Sequence, residues 1–421
     1  SSQAIITDNI VRNANNCDDS TTEYNAGIWV ENTDGAVVSN NHCYDISGNA
    51  GQTSNRLRGI AIGISANDAE ELFVVRSNRI EIDGVVGAQV FALTVGANSD
   101  VNAQRSVSVV DNIIVGSAGI SVAGGSSDAT RLRLVDIRSN TIFDGAQTGN
   151  NGYCSLSGHL ENVQITSLQT DNCAYSQNGS DIAFLDGCTI GSVRIEACSD
   201  LRIYQHSSII VNETVQELVI SNCRIISKDY NSLSSAYPAI WGDRCVVNNC
   251  EIVGGLAAEG DTGNQNMFAA VGTTIVNDTA FIDFSCTTYN FFSTNTGNAF
   301  DVSFRNCTFS DSQVTVLADS SGGRVSVDGC MFDDWSTPGF ALRVGAQAGG
   351  VDLVVSRSRF ITGTATPIPT YNTVEATAKF IDNEYSSSAL HSLTNGPHVE
   401  ETGSGAPSIA AGVGSTLSLI H

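Results

Sequence analysis

Along most of the chain apolar and polar residues alternate one by one, the two-residue period of a strand with one buried face. The alternating runs are short and end in Gly, Ser, Asn and Asp, and helical periods are not seen between them. One phrase returns at the end of these runs: two apolar residues, a small polar pair, Asn or Cys, any residue, then Ile or Phe. It reads VVSNNHC from Val37, VVRSNRI from Val74, VVDNII from Val109, DIRSNTI from Asp136, FLDGCTI from Phe184 and VISNCRI from Val219. It continues as VVNNCEI from Val246, SFRNCTF from Ser303, SVDGCMF from Ser326, VSRSRF from Val355 and FIDNEY from Phe380.

The residue two places before the final apolar one serves as a marker. Markers fall at Asn41, Asn78, Asn112, Asn140, Cys188, Cys223, Cys250, Cys307, Cys330, Ser358 and Asn383. The two widest intervals are expected to hide weaker copies, VQITSL from Val163 and FIDFSCTT from Phe281, which leaves a period of 23 to 37 residues. A strand unit of that length cannot bury its apolar face alone, so successive copies must stack, each pairing in parallel with the one before. The expected fold is all-β, a right-handed single-stranded parallel β-helix of about fifteen turns over residues 1–388. In such a stack the markers form internal ladders, Asn on Asn and Cys on Cys. After residue 388 the phrase stops and Gly, Pro and Ser become frequent, so residues 389–421 read as a linker and the start of a C-terminal element. The opening segment already reads as strand, with no charged-then-apolar leader, so residue 1 is expected to be a cut inside a longer chain.

Composition narrows the chemistry. The 20 basic residues against 44 acidic ones leave a net charge of −24, which would repel a phosphate backbone or an anionic membrane surface. Nucleic-acid binding is not expected. The uncharged stretch from Gly403 to Ile420 is too rich in Gly, Ser and Thr to insert in a bilayer, so membrane insertion is not expected either. The 12 cysteines lack the paired spacing of a zinc site, and they are expected to be reduced and mostly buried, with no metal and no cofactor. The chain has no GxSxG elbow, phosphate loop, HExxH or EF-hand loop.

The phrase resembles the repeats of right-handed parallel β-helices of the pectate-lyase-like kind over roughly residues 5–385. Proteins with that fold include polysaccharide lyases, pectin-type hydrolases, sugar epimerases and bacteriophage tailspikes, so the resemblance implies carbohydrate. The stretch GSGAPSIAAGVGSTLSL is similar to a short element that follows the body of many phage tail-fibre and tailspike chains. That resemblance implies a homotrimer in the virion tail. It would act at the host surface on a bacterial polysaccharide and attach to other tail or baseplate proteins through a preceding segment.

On a β-helix, function must use outward strand positions and loops. The insertion ISKDYNSLSSAYPAIWGDR carries Asp229, Tyr230, Tyr237, Trp241, Asp243 and Arg244. Aromatic faces stack on sugar rings and carboxylates exchange protons, so this insertion is the expected glycan site. The nearby VRIEACSDLRIYQHSS adds Glu196, Asp200, Tyr204 and His206, and Glu251 lies one copy after Arg224. Glycoside hydrolysis needs two carboxyl groups, roughly 5–5.5 Å apart for retention or 6.5–9.5 Å for inversion, a span of one or two stacked strands. The candidate acids are Glu196, Asp200, Asp229, Asp243 and Glu251. The candidate substrate contacts are Tyr204, His206, Arg224, Tyr230, Tyr237, Trp241 and Arg244. Arg224 and Glu251 have a competing reading as an exposed ion pair. Elimination is the alternative chemistry, with Asp18 and Asp19, or Asp333 and Asp334, as partial calcium ligands. A glycan-binding tail fibre or adhesin without enzymatic activity is the alternative function.

Overall fold

A computed structural model describes residues 3–12, 25–46, 57–64, 72–82, 91–97, 105–116, 119–126, 131–145, 152–173, 180–184, 189–203, 215–227, 243–253, 272–283, 292–294, 300–310, 312, 314–318, 323–333, 342–346, 351–361, 370–371, 377–385, 391–394, 398–402, 409–410 and 416–420. These residues form strands and tight turns, with no helix among them, hence none long and apolar enough to cross a membrane. The paired strands named below run parallel, so the fold is a parallel β-solenoid. The chain divides into two compact units, Ser1–Glu217 and Leu218–His421.

Six coils of the first unit each contribute a strand to each of three sheets. The first sheet stacks Gln3–Thr7, Gly35–Ser39, Leu72–Arg76, Arg105–Val110, Leu132–Arg138, His159–Thr166 and Thr189–Glu196. The second begins Ile10–Arg12, His42–Ile46, Arg79–Ile82 and Ile113–Gly116, and the third begins Asn25–Thr33, Leu57–Ile64 and Phe91–Ala97. The second unit repeats the plan. Arg224–Ser227, Glu251–Val253, Ala280–Ile282, Thr308–Ser310 and Met331–Asp333 stack in one sheet, and Phe292–Thr294, Val314–Ala318 and Leu342–Ala346 in another. Parallel pairing runs on past residue 388, where Thr377–Ile381 pairs with His398–Thr402 and that strand with Thr416–Ile420. Alternation decides the faces: Phe73, Val75, Val107 and Val109 are fully buried inside, while Val74 and Ser108 face outward between them.

The recurring phrase is the corner between the first two sheets. The residue before the marker has φ between 48° and 64° in Asp8, Asn40, Ser77, Asp111, Ser139, Ser167, Ala197, Asn222, Asn249, Asp278, Asn306, Gly329, Arg357 and Asp382. Asn, Asp and Gly tolerate this left-handed conformation best, which explains the small polar pair in the phrase. The corner amide is satisfied by the next coil: Asp111 N–H donates to the Arg138 carbonyl at 3.0 Å and Asn306 N–H to that of Asp328 at 2.9 Å.

The marker side chain points inward and stacks. Asn41 donates from its backbone N–H and from Nδ2 to Oδ1 of Asn78, both at 3.0 Å. Asn78 does the same to Asn112 at 3.0 Å, and Asn112 to Asn140 at 3.1 and 2.9 Å. Each Nδ2 also reaches a carbonyl of the coil before, Val38 for Asn78 and Val75 for Asn112. Every amide is thereby saturated in a site from which water is excluded. In the second unit Cys, Thr and Ser take most of these positions: Cys250 N–H donates to Thr279 Oγ1, Cys307 N–H to Cys330 Sγ, and Cys330 N–H to Ser358 Oγ, before Asn returns at Asn383, whose Oδ1 accepts Ser358 N–H at 2.9 Å.

Two details of the expected register are corrected. The corner of the coil expected at Cys188 lies at Ala197–Cys198, so Cys198 holds the ladder position, whereas Cys188 lies outside the described residues. The copy expected at FIDFSCTT is instead IVNDTAF, with Asp278 at the corner and Thr279 as marker. The hidden copy at VQITSL is present, with Leu168 as an apolar marker, and successive markers from Asn9 to Asn383 are 23 to 37 residues apart.

Inside the second unit, one column of the sheet that contains Arg224–Ser227 is aromatic. Phe281, Phe309, Phe332 and Phe360 stack with centroids 4.7, 4.7 and 4.8 Å apart and planes within 10° of parallel. The spacing is that of the coils themselves.

Nine cysteines fall among the described residues, and all are free thiols. Cys17, Cys188 and Cys286 lie outside them. Burial pushes the Cys43 thiol up to about 11 and those of Cys154 and Cys245 up to about 12, so few thiolates form near neutral pH. Among these nine, only Cys173 is not fully buried. Iodoacetamide at neutral pH is expected to modify Cys173 first and the other eight only after unfolding. Peptide mapping of the alkylated protein checks this; equal labelling of all nine would contradict the packed ladder.

Candidate functional site

The candidate residues divide between the two units. Glu196 and Asp200 flank the Ala197–Cys198 corner of the first unit, with Glu196 at the outward end of its strand and Asp200 in a second left-handed turn, φ 56°. Asp243, Arg244, Arg224 and Glu251 belong to the second unit. Tyr204, His206, Asp229, Tyr230, Tyr237 and Trp241 lie outside the described residues, as do Asp18, Asp19 and Asp334, while Asp333 ends the strand Met331–Asp333.

Arg224 and Glu251 are register partners on adjacent strands, and Arg224 Nε donates to Glu251 Oε1 at 2.7 Å. Their side chains are 45% and 43% exposed; the same arrangement recurs between Arg359 and Glu384 at 2.8 Å, and Arg12 bridges to Asp45, the residue after its register partner Tyr44, at 3.0 Å. This pair is thus one of a class of exposed bridges between coils. Replacing Glu251 with Gln is expected to change stability by less than about 1 kcal/mol. A loss well above that in denaturant unfolding would contradict a solvent-screened bridge.

Asp243 precedes the strand Arg244–Asn248, and its carbonyl accepts Thr273 N–H at 3.0 Å. Glu251 follows that strand around the corner. Five residues of strand span about 16 Å, so the two residues are attached at opposite ends of a coil edge.

The outward face of the second sheet of the first unit gathers groups that the sequence reading passed over. His42 Nε2 lies 3.2 Å from Glu81 Oε1, and Arg79 donates to the same oxygen. The His42 and Tyr44 rings are 4.8 Å apart, and the Arg12 guanidinium lies 5.5 Å from the centre of the Tyr44 ring. Three coils are in register here, Ile10 beside His42 and His42 beside Arg79. The third sheet presents Trp29, 43% exposed, whose Nε1 donates to Glu31 Oε2 at 3.2 Å. An imidazole on a carboxylate, two guanidiniums and a phenol form a set that can hydrogen-bond hydroxyl and carboxylate groups of a sugar.

The Arg79 guanidinium, with His42, holds Glu81 below the usual carboxylate range, and Arg357, with Ser356, does the same for Asp328. A carboxylate depressed in the folded state contributes stability above its unfolded pKa, and that contribution is lost as pH falls through the folded value. Stability is therefore expected to hold down to about pH 5 and to fall below about pH 4. Asp328→Asn is expected to flatten part of that fall, measured by urea unfolding across pH; an unchanged profile would contradict the assignment.

No family model matches the chain, and no curated relative matches it. The parallel β-solenoid is a scaffold typical of proteins that bind or degrade polysaccharides.

Proposed function

We propose that the chain is a receptor-binding protein of the phage-tailspike kind that recognises a bacterial surface polysaccharide and depolymerises it, by hydrolysis in preference to elimination. The observation that carries the proposal is the parallel solenoid. Its corners repeat one phrase, while the segments between them vary in length and carry the aromatic and acidic residues of Glu196 to Glu251. The resemblance of that phrase to pectate-lyase-like repeats and of the tail segment to phage tail proteins supports the same reading. Glu196, Asp200, Asp229, Asp243 and Glu251 are the proposed acids, and Tyr204, His206, Tyr230, Tyr237, Trp241, Arg224 and Arg244 the proposed sugar contacts. The protein would work as a homotrimer in the virion, with tail or baseplate proteins as its other partners. A monomer mass by light scattering of the intact protein would contradict the trimer.

The bridge that engages Glu251 favours a second reading, adhesion without cleavage. Incubation with purified host capsule or O-antigen separates the two. New reducing ends support hydrolysis, and absorbance from an unsaturated sugar supports elimination. Saturable binding with neither supports the adhesin, and absence of both binding and cleavage on the host polysaccharide overturns the proposal.

A further inference from the structure

In the second unit the internal ladder is built from cysteines at two places, and the thiols there are neighbours. Cys223 and Cys250 are the markers of consecutive coils, as are Cys307 and Cys330. The register is locked on the next residue, Arg224 opposite Glu251 and Thr308 opposite Met331, with Glu251 N–H donating to the Cys223 carbonyl at 3.0 Å and Met331 N–H to that of Cys307 at 2.8 Å. In-register neighbours on adjacent strands lie about 4.8 Å apart, inside the range of about 4.4–6.8 Å between the Cα atoms of a disulfide.

In each pair the later thiol leans toward the earlier coil, while the Cys307 thiol donates to the Val276 carbonyl of the coil before it at 3.4 Å. Cys250 Sγ lies 3.8 Å from the Ile220 carbonyl, in the coil that holds Cys223, and Cys330 Sγ accepts the backbone N–H of Cys307 at 3.4 Å. In each pair the neighbouring thiol pushes its partner up, Cys223 acting on Cys250 and Cys307 on Cys330. The intervening marker is Thr279 and the one after Cys330 is Ser358, so no thiol at those markers links one pair to the other. A thiol is a weak donor and acceptor. Where Asn112 makes strong bonds to both neighbouring coils, a reduced cysteine at the same position leaves the coils held by weaker ones.

We propose that Cys223 with Cys250, and Cys307 with Cys330, are latent disulfide pairs that bridge successive coils of the second unit when the chain meets an oxidant. The two Sγ–H bonds break and one Sγ–Sγ bond forms. Two protons are released, and the two electrons pass to the oxidant, a diazene such as diamide in the test below, which becomes the hydrazine. The four side chains are 1–5% exposed, so the reaction belongs to folding or to transient opening of a coil and not to the closed protein. Each bridge closes a loop, of 23 residues at Cys307–Cys330 and of 27 at Cys223–Cys250, and so restricts the unfolded chain. The markers Asn41, Asn78, Asn112 and Asn140 of the first unit offer no such chemistry, so both proposed bridges lie within the second unit.

The full chain is unfolded in guanidinium and refolded with diamide or with dithiothreitol. After alkylation, peptide mapping is expected to recover Cys223 linked to Cys250 and Cys307 linked to Cys330, only with diamide. The guanidinium midpoint of the second unit is expected to rise by about 0.5 M and to return on reduction. Cys250→Ser and Cys330→Ser are each expected to remove one link and part of the shift. Serine occupies the same position at Ser358, so these variants keep the ladder shape. Links between other cysteines, no links, or links without a shift in midpoint would each overturn the proposal.

Discussion

Replacing Asn112 with Ala is expected to destabilise the first unit by about 3–6 kcal/mol, a large share of the stability of an ordinary domain. Asn112 is fully buried, and its Oδ1 accepts both the backbone N–H and the Nδ2 of Asn78. Its Nδ2 donates to the Val75 carbonyl and to Asn140 Oδ1. Truncation leaves the Asn78 N–H with no acceptor and strips a partner from each of the others. The unmade bonds cost more than the lost ones, because water cannot replace the amide inside the stack. Asn112→Asp keeps the accepting oxygens but loses both donors and buries a charge, so it is expected to be at least as harmful near neutral pH. Guanidinium unfolding followed by circular dichroism measures both. A loss below about 1 kcal/mol for the alanine variant would mean that the ladder contributes little.

Phe309→Ala is expected to cost the second unit about 3–5 kcal/mol. The Phe309 ring is sandwiched between Phe281 and Phe332 at 4.7 Å on either side and meets the edge of Phe304 at 5.7 Å. Three backbones in parallel register hold Phe281, Phe309 and Phe332, so the neighbours cannot collapse into the space a missing ring leaves. Phe309→Leu fills most of that space and is expected to cost about 1–1.5 kcal/mol. The same unfolding experiment checks the pair, and equal losses for the two variants would contradict a tightly packed stack.

The fold was legible because the corner imposes a local rule that each coil obeys again. A left-handed residue followed by an inward polar one reads as Ser-Asn, Asp-Asn or Asn-Cys at many of the corners, and Asn78, Asn112 and Asn140 stand out on that basis alone. The rule was misread where chemistry allowed a substitute. At Ala197–Cys198 an alanine takes the left-handed position, a poor choice locally that tertiary pairing tolerates, so FLDGCTI nearby matched the phrase better than the real corner did. At Asp278–Thr279 a hydroxyl does the work of an amide or thiol, which hid that copy.

The site was less legible, because outward neighbours on a solenoid come from different coils. His42 and Glu81 are 39 residues apart and meet only once the register between their strands is known. Reading the first and third residues after each marker as columns would have brought His42, Tyr44, Arg79 and Glu81 together. Arg224 and Glu251 were found because both directly follow markers. Asp229, Tyr230, Tyr237 and Trp241 rest on the composition of one insertion, and six of the twelve candidate residues lie outside the described segments.

The claim that this solenoid serves polysaccharide recognition is tested most directly by equilibrium binding of the intact chain to a panel of immobilised capsular and O-antigen polysaccharides. The account predicts saturable binding to at least one of them, competed by the same polysaccharide in solution and lost when the protein is unfolded. Folded protein that binds none of the panel, or binds all of them alike without competition, would contradict it.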